Sequence, residues 1–258
     1  IFASCSTNNV KTDNNLKKFF DQKNVTGTFA LLNNGTGQFT IYNLKRYRDS
    51  SYSPGTSFDL VTALVGLHTG AITNEKMTLR DSVTNSQTDM TQALEKSVVY
   101  YFSEIARRIG RDTMQFWLNE FKYGAASDTQ KIIINSAIDS FYLDNSLKII
   151  PDQQLGFIKN LYFAQLPTVY QPYQEMVKAS LIQEDRSAYR LSYKTGVAKN
   201  EKGEQVGWVS DWIEENNHPY FFVLNFTSSK NGNTDTEAIS VDILKGILKE
   251  LGFFEGKM

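Results

Sequence analysis

Residues 53–70, "SPGTSFDLVTALVGLHTG", constrain the fold more than any other part of this chain. A Pro-Gly turn delivers Thr56 to the start of an apolar helix. On that helix Phe58, Val61, Leu64, Val65 and Leu67 can face a core, and Gly70 ends it. A helix N-terminus set in a core gathers unpaired backbone N–H groups and the positive end of the helix dipole. A hydroxyl or carboxylate placed there is either activated or simply satisfied. Thr56 and Asp59 are those groups.

The rest of the chain has to enclose that helix. Helical spacing covers 15–22, with Leu16, Phe19 and Phe20 on one face, and 28–32 and 39–42 form a hairpin across Asn33-Asn34-Gly35-Thr36-Gly37. Residues 74–91 are polar and read as loop over much of their length. Helices follow at 94–109, 112–121, 151–163 and 175–182, the third with Pro151 in its first turn. Three strands, 188–195, 205–213 and 220–226, are joined by hairpin turns at 200–203 and 216–219 into an antiparallel meander. The closing helix carries a stripe of Ile239, Ile243, Leu244, Ile247, Leu248 and Leu251, with Thr234 and Glu237 as a capping box and Gly252 as its stop. Segregated helices and strands of this kind predict an α+β fold: an antiparallel sheet flanked by terminal helices, plus a helical subdomain.

Charge and composition remove several functions. With 27 basic and 28 acidic residues the chain has no electrostatic footprint for nucleic acid. No apolar run is long enough to span a membrane. The single cysteine, Cys5, excludes an internal disulfide and any cysteine-based metal cluster, and neither His68 nor His218 sits among carboxylates at ligand spacing. No cofactor or metal is therefore expected. Trp117 and the aromatics around it read as core.

Other segments extend the pattern: "LEKSVVYYFSEIARRIG", "MQFWLNEFKYGA", "FYLDNSLKIIPDQQLGFIKNLYFAQLP", Lys194-Thr195-Gly196 and "GWVSDWIEENNHPYFFVLNF". In this order and spacing they resemble the class D β-lactamases and the related penicillin-recognising sensor domains over most of the chain. The resemblance places the family's S-x-x-K nucleophile motif on Thr56 and Asp59, its S-x-V on Ser97-Val98-Val99, its Y-G-N on Tyr123-Gly124-Ala125 and its K-T-G on residues 194–196. It implies a single domain over 15–258.

In that family the serine attacks the β-lactam carbonyl, a carboxylated lysine is the general base, and backbone N–H groups hold the oxyanion. By position, Ser97 would relay a proton, while Lys194, Thr195 and Gly196, with Val99 and Tyr142 near by, would bind the substrate's carboxylate end. The departures fall on the chemistry. Serine and lysine have become Thr56 and Asp59, a tryptophan has become Tyr142, a strand glycine Asp211 and the Y-G-N asparagine Ala125. No Arg or Lys lies between residues 231 and 244, where the family supplies a carboxylate-binding arginine. The resemblance thus implies a degenerate site, binding or sensing β-lactam or peptidoglycan-like ligands without hydrolysis. The alternative is an acylating enzyme working through Thr56 or Ser57 with little release.

The residues also allow plainer readings. Thr56-x-x-Asp59 is close to a capping box, in which each side chain accepts from the other's backbone N–H, a motif that typically stabilises by about 0.5–2 kcal/mol. Ser97 is equally a helix cap or a relay. Ile1-Phe2-Ala3-Ser4-Cys5 resembles the tail of a bacterial lipoprotein signal. On that reading Cys5 is acylated, residues up to 14 are a polar tether, and the protein sits on the periplasmic side of the cell envelope. The plain alternatives are a chance small-residue cleavage region or an ordinary secretion signal cut near by.

Overall fold

A computed structural model describes residues 9–124, 131–228 and 235–258. The chain opens with β1 (Val10–Thr12), which pairs parallel to β3, so these residues, expected as tether, belong to the sheet. A 3₁₀ turn (Asn14–Leu16) capped by Asp13 leads into α1 (Lys17–Asp21), which buries Leu16 and Phe20. β2 (Val25–Asn33) and β3 (Gln38–Tyr42) form the expected hairpin. A short α2 (Leu44–Asp49), unforeseen in the sequence, follows and is capped by the Asn43 side chain.

The apolar stretch forms a 3₁₀ turn (Gly55–Phe58) running directly into α3 (Asp59–Thr69), ended by Gly70 at φ 78°. Every residue of α3 from Asp59 to Leu67 is buried. A helix apolar on all sides has no face to give to water, so the other elements wrap it. Residues 74–91 are mainly loop with one small hairpin, β4 (Leu79–Arg80) and β5 (Gln87–Thr88).

The helix expected over 94–109 is broken. α4 (Met90–Glu95) starts earlier, under a capping box of Asp89 and Gln92, and α5 (Val99–Ile109) begins after Ser97, whose φ of 51° interrupts the helical path. Continuous apolar spacing hid this break, because each half keeps its own buried stripe. α6 (Arg111–Phe121) and α7 (Pro151–Tyr162) stand as expected. α8 (Gln171–Ala179) starts four residues before the expected 175, with Pro172 in its first turn, and it stops in time for Ile182 to enter a strand.

β6 (Ile182–Asp185), β7 (Tyr189–Lys199), β8 (Gln205–Glu215) and β9 (His218–Ser228) complete the sheet antiparallel. The β8–β9 turn narrows to Asn216 and Asn217, both at positive φ, as a two-residue hairpin requires. α9 (Thr236–Glu250) closes the chain; its cap is Asp235, which accepts from the Ala238 N–H, in place of the expected Thr234–Glu237 box, and Thr234 lies outside the described residues.

Among the described residues the main sheet has seven strands, ordered β1-β3-β2-β9-β8-β7-β6. Its two faces carry separate cores. Trp208, Trp212, Phe221 and Val223 pack with the helices around α3, whereas Val209, Ile213, Phe222 and Leu224 pack with α1 and α9. This alternation along β8 and β9 is the period of two that a doubly covered sheet imposes. Trp117 is buried in the first core, as expected, with His68 edge-on to its ring.

Candidate active site

The site forms where the turn before α3 meets β7. β6 pairs with β7 only as far as Ser192, which leaves the edge of β7 from Thr195 onward to receive the turn. The contact is backbone on backbone. A Cβ on Gly55, which sits at φ 57°, would come within 2.2 Å of the Val197 carbonyl oxygen, and one on Gly196 within 2.8 Å of the Pro54 carbonyl oxygen. Glycine is required on both sides of this seam. The turn is pinned by Gly55 N–H donating to the Tyr142 carbonyl (3.0 Å), Ser53 Oγ donating to the same carbonyl (2.6 Å) and Trp208 Nε1 donating to Ser53 O (2.9 Å).

Thr56 and Asp59 do not cap each other. Thr56 Oγ1 accepts from the Val197 N–H at 3.2 Å, the Ser57 hydroxyl donates back to Pro54 O, and neither carboxylate oxygen of Asp59 has a hydrogen-bond partner among the described residues. The capping reading fails because the first turn is 3₁₀ and docked on β7, so the hydroxyl finds a strand N–H before a helical one.

Asp59 faces Lys194 instead, with Nζ 3.5 Å from Oδ2 and both side chains only 1% exposed. Burial pushes the Asp59 carboxyl up to about 7, Lys194 offsetting only part of the effect, and the same burial lowers the Lys194 ammonium. Lys194 Nζ donates to Ser97 Oγ (2.7 Å) and to Thr195 O (2.8 Å). The helix break serves this contact. Ser97 is not a cap, since Val98 holds that position and makes no side-chain bond, and the Ser97 hydroxyl turns toward β7.

Ser97 Oγ lies 3.3 Å from Thr195 Oγ1, and Thr195 Oγ1 donates to Glu237 Oε1 at 3.2 Å. A hydroxyl has one proton, so with Thr195 donating to Glu237, Ser97 must donate to Thr195. The result is one directed chain, from the Lys194 ammonium through Ser97 and Thr195 to the Glu237 carboxylate. Glu237, in the first turn of α9, was legible only as part of a cap, because nothing local in the sequence brings α9 to β7.

The other expected positions are less central. Val99 is 45% exposed at the first turn of α5 and brings no polar group. Tyr142 is buried with its ring stacked on Phe58 (5.1 Å between centroids), and its hydroxyl has no hydrogen-bond partner among the described residues; burial raises its pKa. Cys5 and Ala125 lie outside the described residues. Asp211 is 0% exposed, at φ 148°, with both carboxylate oxygens unpartnered among the described residues, and burial raises its pKa well above the carboxylate range. His218 accepts at Nε2 from the Gly35 N–H, away from the site, and no described group of three or more His, Cys, Asp or Glu side chains could hold a metal ion.

A seven-stranded sheet, a buried helix whose first turn docks on the strand bearing Lys-Thr-Gly, and a serine bridging to that lysine together define an α+β fold of the β-lactamase and transpeptidase kind. Residues 9–249 match the family described as penicillin binding protein transpeptidase domain, and the chain belongs to that family. It is similar to the probable β-lactamase YbxI of Bacillus subtilis (strain 168), at 33% identity over 86% of this chain and 81% of that protein. It is also similar to the regulatory protein BlaR1 of Bacillus licheniformis, at 29% identity over 89% of this chain and 38% of that protein. Among solved structures, the C-terminal domain of the Bacillus licheniformis BlaR penicillin-receptor superposes with a TM-score of 0.85 at 26% identity, covering 95% of this chain and 97% of that one.

Proposed function

We propose that this chain is a penicillin-recognising domain of the cell envelope that binds or senses β-lactam or peptidoglycan-like ligands reversibly and does not hydrolyse them. Acyl transfer needs a nucleophile with a base within hydrogen-bond reach and free donors where the oxyanion will form. The observation that carries the proposal is the bond from the Val197 N–H to Thr56 Oγ1. The hydroxyl that would attack is itself the acceptor for a strand N–H at the helix start, the type of donor an oxyanion would require. Among the described residues Asp59 is held by no backbone donor and engages Lys194, and the β-methyl of Thr56 stiffens the hydroxyl further. The likeness to a regulatory protein supports sensing, and the Cys5 context supports a lipid anchor on the periplasmic side.

A second reading rests on one specific observation. Asp59, pushed up to about 7, has the proton affinity of a neutral-pH base, which would suit an acyl-enzyme former working through Thr56 with slow release. Intact-protein mass after incubation with excess benzylpenicillin separates the two. No adduct is expected; an adduct lost in Thr56→Ala and kept in Ser57→Ala would establish the second reading. Rebuilding Thr56→Ser together with Asp59→Lys should restore some acylation, since the seam of Gly55 and Gly196 that positions residue 56 is intact.

A further inference from the structure

A second pocket lies on the same sheet, and we infer that it takes a neutral saccharide, whatever happens at Thr56. The register of β7 against β8 sets it up. Arg190 stands opposite Glu214, Ser192 opposite Trp212 and Lys194 opposite Ser210, so these three pairs share one face. Lys194 belongs to the candidate active site, and the first two pairs lie beyond it along the strands. α8 ends at Ala179 before the chain enters β6, and a cleft of about 270 Å³ is left between α8 and β7. A larger cleft of about 530 Å³ adjoins it past Arg190 and Glu214, which line both, and reaches Tyr162, Tyr189 and the β8–β9 turn. None of Thr56, Asp59, Ser97, Lys194, Thr195 or Glu237 lines either cleft.

Ser192 is the group that calls for a ligand. Its side chain is fully buried, it lines the inner cleft, and its hydroxyl has no hydrogen-bond partner among the described residues. Leaving a buried hydroxyl unpaired is costly, and a group that donates or accepts at the end of this narrow space relieves that cost. Beside it stands the Trp212 indole, edge-on to Tyr162 at 5.2 Å between centroids, so the two clefts share an aromatic wall.

The charges decide the class of ligand. Lys178, Arg186 and Arg190 line the clefts with Glu175, Asp185 and Glu214, a balanced set. Lys178 lies 3.4 Å from Glu175, Arg190 lies 3.1 Å from Asp185 and 3.6 Å from Glu214, and Arg186 bears on Tyr189 and Glu184. A charged ligand meets no unopposed charge here, and a zwitterion fares no better, because no cation is set apart from an anion. The pairs are still far from exhausted as hydrogen-bonding groups, since a guanidinium has five N–H donors and a carboxylate about four lone-pair sites. Interleaved donors and acceptors without net charge, between tyrosine and tryptophan rings, match a ring ligand whose hydroxyls each donate and accept.

NMR titration of the full chain tests this, with N,N′-diacetylchitobiose and maltose over the millimolar range and with citrate and putrescine as charged controls. At least one sugar should shift the Ser192, Trp212 and Tyr189 signals saturably, with a dissociation constant that does not move between low and high salt. A response to the diacetyl sugar alone marks an amino-sugar glycan as the source, and a response to both marks a general sugar site. Ser192→Ala should weaken binding about threefold to tenfold, and Ser192→Leu, which fills the inner cleft, should abolish it, with thermal melts identifying which variants fold. No saturable shift with either sugar, tighter binding of citrate or putrescine at these residues, or an affinity unmoved in the folded Ser192 variants would overturn the inference. None of these results bears on acylation at Thr56, so this site and the proposed function stand or fall separately.

Discussion

At the scale of single residues, Asp211 is the position where this chain departs furthest from what its surroundings favour. A carboxyl with no exposure and no hydrogen-bond partner among the described residues, at φ 148°, is asked to be neutral and to adopt a backbone that glycine adopts freely. Its folded pKa lies well above its unfolded value. Between those two values the native state holds a proton that the unfolded chain has lost. The contribution of Asp211 is therefore most favourable below about pH 4, where both states are protonated, and becomes steadily worse as pH rises toward the folded value. Replacing it by Asn removes the titration, so the melting temperature of Asp211→Asn relative to the parent should rise from pH 4 to pH 8; a constant difference would contradict the assignment. Asp211→Gly should stabilise further, because it also relieves the backbone. The gain at pH 8 is expected to be about 1–3 kcal/mol, the cost of an unsatisfied buried polar group, read from denaturant midpoints.

At the scale of elements, the site depends on how closely a turn and a strand approach. Gly55→Ala would set a Cβ 2.2 Å from the Val197 carbonyl while holding φ near 57°, so the turn has to lift off β7. Strain at positive φ and overpacking each contribute about 1–2 kcal/mol, and a loss of roughly 2–4 kcal/mol is expected. Gly70→Ala is the matched comparison. Its φ is 78° but nothing lies within 4 Å of the added Cβ, so only the conformational cost of about 1 kcal/mol should appear. If chemical denaturation shows equal losses for the two, the seam is not where the stability lies. The break between α4 and α5 teaches a related lesson. Ser97 looks like any polar residue ahead of an apolar helix, and either a cap or a relay would fit the sequence. Only the left-handed backbone at 97 turns its hydroxyl toward Lys194.

At the scale of the whole molecule, one sheet is shared by two cores, with α3 on one face and α9 on the other. Leu64→Ala and Leu244→Ala each empty a fully buried position on opposite faces and should each cost about 2–5 kcal/mol. Since β7, β8 and β9 belong to both cores, thermal unfolding should remain one cooperative transition in both variants. A separate early transition in either would mean that the layers fold independently. What the sequence determined by itself was most of what depends on short spacing, though neither α2 nor the break at Ser97. The buried α3 follows from unbroken apolarity, the meander from alternation and turn residues, the terminal helix from its stripe, and Lys194-Thr195-Gly196 and the Thr56–Asp59 helix start from their order along the chain. The tertiary structure alone decided what those groups do. It set Thr56 on the Val197 N–H and not in a cap, faced Asp59 toward Lys194, and brought Glu237 from the far end of the chain to Thr195. Each of these contacts joins residues 42 to 141 positions apart. Such distances are closed by strand register and by two cores packing on one sheet, and no local propensity encodes them.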